Sequence, residues 1–307
     1  MATTRNQVAQ LYTPIYDVFM LGTFKEETQK HRQVYKEIMD STKEFKVDDV
    51  SGLGIWESAA ELASGNYEDP VLGYPKTYTQ GKFIKKFQAS FESVDQDEYA
   101  LLKKEGEASA MGRGARARVE TDCAQTLYNG FSTAAADGQY LWDSDHPKNR
   151  EETGTTHDNL LTGAFTHDNL ELAETQIAAN YFDMKGLPIE PTEDPIILYP
   201  PALRGVVQRV LEDRATERPG TTNRDINRFA GKYRPVEWRY LASWNSGSNT
   251  AWYIIFPELG FLKIVWSQKP HFTSWIDEEN DAYKFKGRML YAQGVDNWRC
   301  GFASTGL

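Results

Sequence analysis

The run DQDEYALLKKEGEASAMGRGARARVETDCAQTLYNGF, residues 95–131, spaces Ala108, Met111, Ala115, Val119, Cys123, Leu127 and Phe131 three or four positions apart. That spacing draws one apolar stripe and predicts a long amphipathic helix running to about Gly130. Asp95 and Glu98 have the order of a capping box, in which a carboxylate accepts backbone N–H bonds and a later Glu reaches back, so the helix is expected to begin there. At 1.5 Å per residue the rod is roughly 45–50 Å long. Gly106, Gly112 and Gly114 each cost about 1 kcal/mol relative to alanine in such a helix, so close packing or a bend is expected to compensate.

Upstream, Tyr12, Ile15, Tyr16, Phe19 and Met20 recur at helical spacing before a charged stretch from Lys25 to Lys36, which reads as an arm with one or two helices. Phe45 and Val47 suggest a strand. A Gly/Ser/Asn/Pro-bearing excursion, Ser51 to Pro75, separates it from a second run, Tyr78 to Phe91, and together they read as a long hairpin. Phe83, Ile84, Phe87 and Phe91 would also line a helix, but aromatic content and Gly81 favour strand.

Downstream, Asp137-Gly138 signals a turn, and the polar stretch from Asp143 to Thr156 reads as an exposed loop. The pentapeptide Thr-His-Asp-Asn-Leu occurs twice, at 156–160 and 166–170, by coincidence and not as a structural repeat. Each Asp can cap the segment after it, and the second copy opens a helix through Leu170, Ala173, Ile177 and Tyr181. Ile196 to Tyr199 has the character of a buried strand, and Pro200-Pro201 leads into a helix bearing Leu203, Val206, Val207, Val210 and Leu211. Residues 215–235 form a long polar loop. Strand candidates come next at Val236–Leu241 and Trp252–Phe256, with terminal strands around Tyr283, Phe285, Met289, Tyr291, Val295, Trp298 and Phe302.

Composition narrows the function. The chain's 307 residues exceed the roughly 100–200 of a single domain, so one large or two interleaved domains are expected. Lys plus Arg number 34 against 44 acids, for a net charge of -10, which argues against tight general DNA binding yet suits a container. Cys123 and Cys300 are the only cysteines, too few for a disulfide framework or a Cys-rich metal centre, and a reducing cytoplasm is the expected assembly compartment. Neither a signal peptide nor a membrane span is apparent. Eight tryptophans suggest aromatic surface at subunit contacts, against the plainer reading of an aromatic core.

The order of these parts resembles the major capsid proteins of tailed bacteriophages, closest to the Mu-like major head subunits. The likeness is carried by Lys76-Thr77-Tyr78 through Phe83, Phe91 and Asp95-Gln96-Asp97, the long helix, Asp137-Gly138-Gln139-Tyr140-Leu141-Trp142, His146-Pro147, and Val295-Asp296-Asn297-Trp298-Arg299-Cys300-Gly301-Phe302. It covers most of the chain from about residue 40, and the order of its loose motifs is its main strength. The resemblance implies an α+β capsid fold: an N-terminal arm (1–42), an extended loop (43–92), a peripheral domain on the spine helix (93–186), an axial α/β domain (187–256) and a C-terminal return to the peripheral domain (257–307). It further implies self-association into hexamers and pentamers of an icosahedral head enclosing double-stranded DNA. The implied partners are a separate scaffolding protein, a portal, a decoration protein and, non-specifically, packaged DNA, with no membrane. Candidate intersubunit contacts are Phe45, Trp56, Tyr67, Lys85, Phe87, Arg113, Arg116, Arg224 and Arg228.

No catalytic, cofactor or metal site is expected. Asp143, Asp145 and His146 offer metal-ligand atoms, but one short loop seldom suffices without distant partners. His157 and His167 each adjoin an Asp-Asn pair better explained as capping. Lys76, Lys82, Lys85 and Lys86 lie where some family members form a lysine–asparagine cross-link, although lysines on an exposed hairpin ordinarily protect strand edges. Arg113, Arg116 and Arg118 form a basic cluster that suits DNA, a neighbour's carboxylates or simply solvent. A nanocompartment shell protein of the same fold is the alternative reading. A soluble α+β enzyme is a third, for which no Gly-x-Ser-x-Gly, phosphate-loop or dinucleotide motif is present.

Overall fold

The computed structural model describes residues 29–49, 53–59, 61, 64–65, 67–90, 92, 107–152, 154, 156–190, 194–212, 215–216 and 225–307. The expected arm residues Tyr12 to Met20 and the Asp95–Glu98 cap lie outside them.

In chain order, α1 (His31–Val34) and β1 (Lys36–Met39) lead to β2 (Glu44–Val47), the excursion, β3 (Lys76–Thr79) and β4 (Gly81–Ser90). Helix α2 (Glu107–Tyr128) precedes the short strands β5 (His146–Pro147), β6 (Thr156–His157) and β7 (Leu160–Leu161), then α3 (His167–Asn180). Next come β8 (Ile196–Tyr199), α4 (Arg204–Leu211), β9 (Ala215–Thr216), β10 (Asp225–Ile226), β11 (Arg234–Glu237) and β12 (Trp252–Ile255). The long strands β13 (Leu262–Asp277) and β14 (Ala282–Val295) and the short β15 (Gly301–Ser304) close the chain.

Two sheets organise these elements. One has the order β1-β13-β14-β4, with β1 parallel to β13 and the other neighbours antiparallel. The other has the order β11-β8-β12-β15-β7. Strands β8 and β12 are buried along their whole length, as expected for apolar runs with sheet neighbours on both sides. The segment 43–92 therefore divides: β2 and β3 form a ladder of their own, with Phe45 opposite Tyr78, while β4 joins the first sheet. The C-terminal segment divides too, since β15 pairs with β12 in the second sheet.

Helix α2 is the hub between them. Its Met111, Val119, Cys123 and Leu127 are buried, the stripe that the sequence spacing predicts. The Tyr35 hydroxyl donates to Cys123 O (2.8 Å), the Trp142 indole N–H to Leu127 O (2.7 Å) and the Tyr291 hydroxyl to Asp122 Oδ2 (2.6 Å), so three distant segments are tied to one rod. At Gly114 an added Cβ would meet nothing within 4 Å, so close packing is not what offsets the helical cost there. Close packing occurs instead on the sheet. A Cβ at Gly287 of β14 would lie 3.0 Å from Phe272 and 3.2 Å from the Met111 sulfur, so the missing side chain is what lets helix and sheet approach.

Further differences have physical causes. Periodicity does not mark strand β13: Pro270 and register shifts on both sides of Gln268 break its alternation, and the burial pattern is regular only in pieces. The expected strand Val236–Leu241 stops at Glu237 and continues as a 3-10 turn, Arg239–Leu241. The stretch Asp143–Thr156 is not simply exposed, because His146, Pro147 and Asn149 are buried and His146–Pro147 pairs with Thr156–His157. Five of the eight tryptophans, Trp142, Trp238, Trp252, Trp266 and Trp298, are buried, so the aromatic-core reading holds for most of them.

The repeated pentapeptide adopts two structures. Its second copy opens α3, but Thr166 and not Asp168 is the cap, accepting from Asn169 N at 3.2 Å. In the first copy Asp158 accepts from Leu160 N (2.8 Å) in a turn, and the fully buried Asn159 bonds three segments. Its Nδ2 donates to Leu141 O (2.9 Å) and Trp298 O (3.1 Å), and its Oδ1 accepts from Asp143 N (2.9 Å). Asn159→Ala strands these buried groups and is expected to cost about 3 kcal/mol, while Asn169→Ala costs under about 1 kcal/mol; urea denaturation midpoints compare the two.

Candidate intersubunit surfaces

The excursion between β2 and β3 presents side chains that the rest of the chain leaves uncovered. Trp56 is 94% exposed, Tyr67 is fully exposed, and Leu53, Ile55 and Leu72 stand more than half in solvent. A soluble chain rarely concentrates bare apolar groups in one segment unless a partner covers them. The base of the loop is nevertheless held. Gly73 N donates to Asp49 O (2.6 Å), and a Cβ on Gly73 would collide with Met184 and Asp49. Lys185 pairs with Glu68 (2.7 Å) and donates to Asp69 O (2.8 Å), while Glu68 accepts from Gly54 N (2.9 Å). Below it Tyr78 donates to Asp296, which also pairs with Lys263. The loop is thus pinned at its root and apolar beyond it.

A second surface is the groove of about 740 Å³ between α2 and the strands β4, β13 and β14, lined by Phe83, Phe87, Met111, Phe272 and Met289 among others. Phe87 stacks on Phe285 with centroids 4.5 Å apart, Phe83 stacks on Tyr291 at 4.9 Å, and the Arg118 guanidinium lies 4.9 Å over the Phe83 ring. Lys85 and Phe87 of the expected contacts therefore line this groove, while Trp56 and Tyr67 stand on the loop. Phe45 is half-buried against Tyr78, with ring centroids 6.1 Å apart. Arg113 is exposed on α2 and Arg116 is half-buried with a partner, whereas Arg118 is tied to Asp122 at 2.9 Å. Arg228 is engaged within its own chain by Glu171 (3.2 Å) and Glu174 (3.5 Å). Arg224 lies outside the described residues. The exposed Trp244 and Trp275 stand outside any regular alternation in the sequence, so no periodic signal marks either as facing solvent.

Three of the histidines, His31, His146 and His157, are buried. His146 Nδ1 is 2.7 Å from Asp137 Oδ2, and its ring stacks on Trp298 at 4.7 Å. The carboxylate of Asp143 accepts from Tyr140 N and Ser144 N, so Asp143, Asp145 and His146 do not converge on a metal. Among the described residues the ligand atoms that do converge belong to His167, Asp168 and Glu171, where Arg228 already supplies the positive charge. At the other end of the core, burial opposes charging of His31, but the hydrogen bond to Glu120 (3.0 Å) and the Glu37 carboxylate 3.7 Å from Nε2 outweigh it and raise its pKa. His31 in turn, with Lys269 and Arg32, holds Glu37 down at about 2.

His157 behaves oppositely: burial, then the nearby Arg299 charge, push its pKa below the usual 6.5. The unfolded chain takes up a proton there at a pH where the folded chain does not, so this group withdraws stability as pH falls below about 6.5. The raised His31 contributes stability below that pH and loses it as pH rises through its folded pKa. His157→Gln is expected to flatten the acid-side loss in thermal midpoints between about pH 7.5 and 5.5, and His31→Gln to make that loss steeper.

Comparison with known proteins bears on what such surfaces serve. No curated protein matches the chain in sequence. Among solved structures, the procapsid of bacteriophage JBD30 is 17% identical and superposes over 98% of this chain and 75% of that chain, with a TM-score of 0.52. The mature capsid of bacteriophage PhiM1 is 13% identical over 88% of this chain and 84% of that chain, TM-score 0.57. A virus-like particle from Pyrococcus furiosus is 11% identical over 95% and 99%, TM-score 0.52. At these identities the likeness establishes the α+β capsid fold. A family described as phage capsid protein matches residues 73–304. Because that match runs from the glycine that roots the exposed loop to the last residue of the final strand, and so spans most of the chain, this protein belongs to the phage capsid protein family.

Proposed function

We propose that the chain is the major capsid subunit of a tailed bacteriophage, closest to the Mu-like group. In this reading it assembles in the host cytoplasm into hexamers and pentamers of an icosahedral head around double-stranded DNA, and it acts by association and not by catalysis. The observation that carries the reading is the loop of residues 53–72, whose Leu53, Ile55, Trp56, Tyr67 and Leu72 project into solvent from a chain that buries five of its eight tryptophans. Burying Trp56 and Tyr67 against a neighbour removes some 150–250 Å² each, several kcal/mol per contact at about 25 cal/mol per Å². Obligate interfaces of about 2,000 Å² or more are built from such pieces.

The peripheral role falls to α2 with β13 and β14, the axial role to the unit around residues 187–256, and the bracing role to the loop within 43–92. A separate scaffolding protein and a portal are the partners this reading requires, and a decoration protein is a further one it admits. The nanocompartment alternative shares the fold, but the family match favours the phage head.

The purified chain is expected to form closed shells, tubes or hexamer sheets in negative-stain micrographs, on its own or with scaffolding protein. A monomer that stays folded and monodisperse under every assembly condition would sink the proposal. Trp56→Ala combined with Tyr67→Ala is expected to leave monomer stability within about 0.5 kcal/mol of the parent while abolishing or strongly weakening assembly, as read by light scattering and sizing.

A further inference from the structure

The two faces of the first sheet differ in chemistry. Gly287 and Phe272 share the face packed on α2. On the opposite face the register gathers Lys82 and Lys86 of β4, Lys286 and Arg288 of β14, and His271 and Trp275 of β13. The carboxylate of this face, Asp277, is taken up by Lys284. Lys86 stands directly opposite Lys286, and Arg288 directly opposite His271. Like charges placed directly opposite on antiparallel strands are destabilising, so the arrangement works against the isolated fold. Lys82, Lys86, Lys286 and Arg288 form no ion pair with any described residue, and the Nε of Arg288 is enclosed with no acceptor. Protection of a sheet edge explains lysines on β4, the outermost strand. It does not explain cations on β14, which has strands on both sides.

We infer that this face binds the phosphate backbone of double-stranded DNA, an inference that rests on the capsid reading for the presence of DNA beside it. The dimensions fit. At about 3.3 Å per residue Lys82 and Lys86 are about 13 Å apart along the strand, a length over which one DNA strand carries about four phosphates. Neighbouring strands about 4.8 Å apart set Lys86 and Lys286 side by side, within reach of two successive phosphates. The net charge of -10 makes the patch local: it positions DNA at one face while the rest of the surface repels it. The rival occupant is the loop of a second copy, since residues 48–75 hold six acids and no Lys or Arg. Its charge is partly spoken for at home, however: Glu68 is held by Lys185 and Gly54 N, and Asp49 accepts from Asn297 at 2.6 Å.

The test measures binding of the full chain to a duplex of about 30 base pairs by fluorescence anisotropy at several salt concentrations. Four phosphate contacts predict a slope of log affinity against log salt near -3.6, about a 150-fold loss between 50 and 200 mM salt. Lys86→Gln with Lys286→Gln is expected to reduce that slope by about 1.8 and, by relieving the repulsion, to raise the thermal midpoint slightly; Lys82→Gln with Arg288→Gln is expected to reduce the slope equally without lowering the midpoint, and both leave shells intact. Lys43→Gln with Lys46→Gln, exposed lysines away from this sheet, serves as control and is expected to change nothing. A slope that neither pair alters overturns the inference. So does a variant that binds DNA normally but no longer assembles, which would assign the face to a second copy. Shells that form from a wild-type chain with no DNA affinity overturn the inference and leave the capsid reading standing. DNA binding with the expected slope by a chain that never assembles does the reverse.

Discussion

The antiparallel pairing of β13 with β14 is the interaction on which the rest of the molecule hangs. These two strands supply the interior of the first sheet, accept β1 and β4 on their outer edges, and give α2 the surface on which it lies. The helix can come close because Gly287 has no side chain and because Tyr291 reaches across to the buried Asp122. An apolar stripe alone would let α2 slide or rotate. A hydroxyl-to-carboxylate bond in a buried setting fixes its register, since an unmet buried carboxylate is costly.

From that platform the chain turns a corner at Asp296, Asn297, Trp298 and Arg299, and the corner joins platform, loop and second sheet. Asp296 receives Tyr78 from the loop's root and Lys263 from β13. Arg299, buried and stacked 4.4 Å over Trp298, donates to Phe182 O and Lys148 O, and beyond it β15 enters the second sheet. Burial lowers the Arg299 pKa, and the carbonyls and carboxylates around it keep the charge tolerable. A rigid root and an uncovered apolar stretch beyond it are complementary properties. The first aims the loop, and the second leaves its binding surface available to a neighbour.

The two copies of Thr-His-Asp-Asn-Leu show how far local sequence reaches. In both, a side-chain oxygen satisfies a backbone N–H near the start, which short-range reasoning anticipates even though it names Asp168 where Thr166 does the work. Only the first copy has its Asn fully buried, and there Asn159 spends its polar atoms on Leu141, Trp298 and Asp143, which no pentapeptide can specify.

The sequence by itself determined the α2 stripe, the buried strands β8 and β12, the opening of α3, the loop set off by Gly and Pro, and the family order of these parts. Each is written in spacing or composition within some twenty residues, where helix and strand periodicities act. It also supplied Trp56 and Tyr67, because bulky aromatics stand out in a polar excursion. Tertiary structure alone decided that β4 leaves the loop for the main sheet, that β13 runs through Pro270 and two shifts of register, that Arg228 is consumed by Glu171 and Glu174, and that Lys86 faces Lys286. These depend on which strands become neighbours across some two hundred residues, and periodicity within a segment carries no information about the partner it will meet.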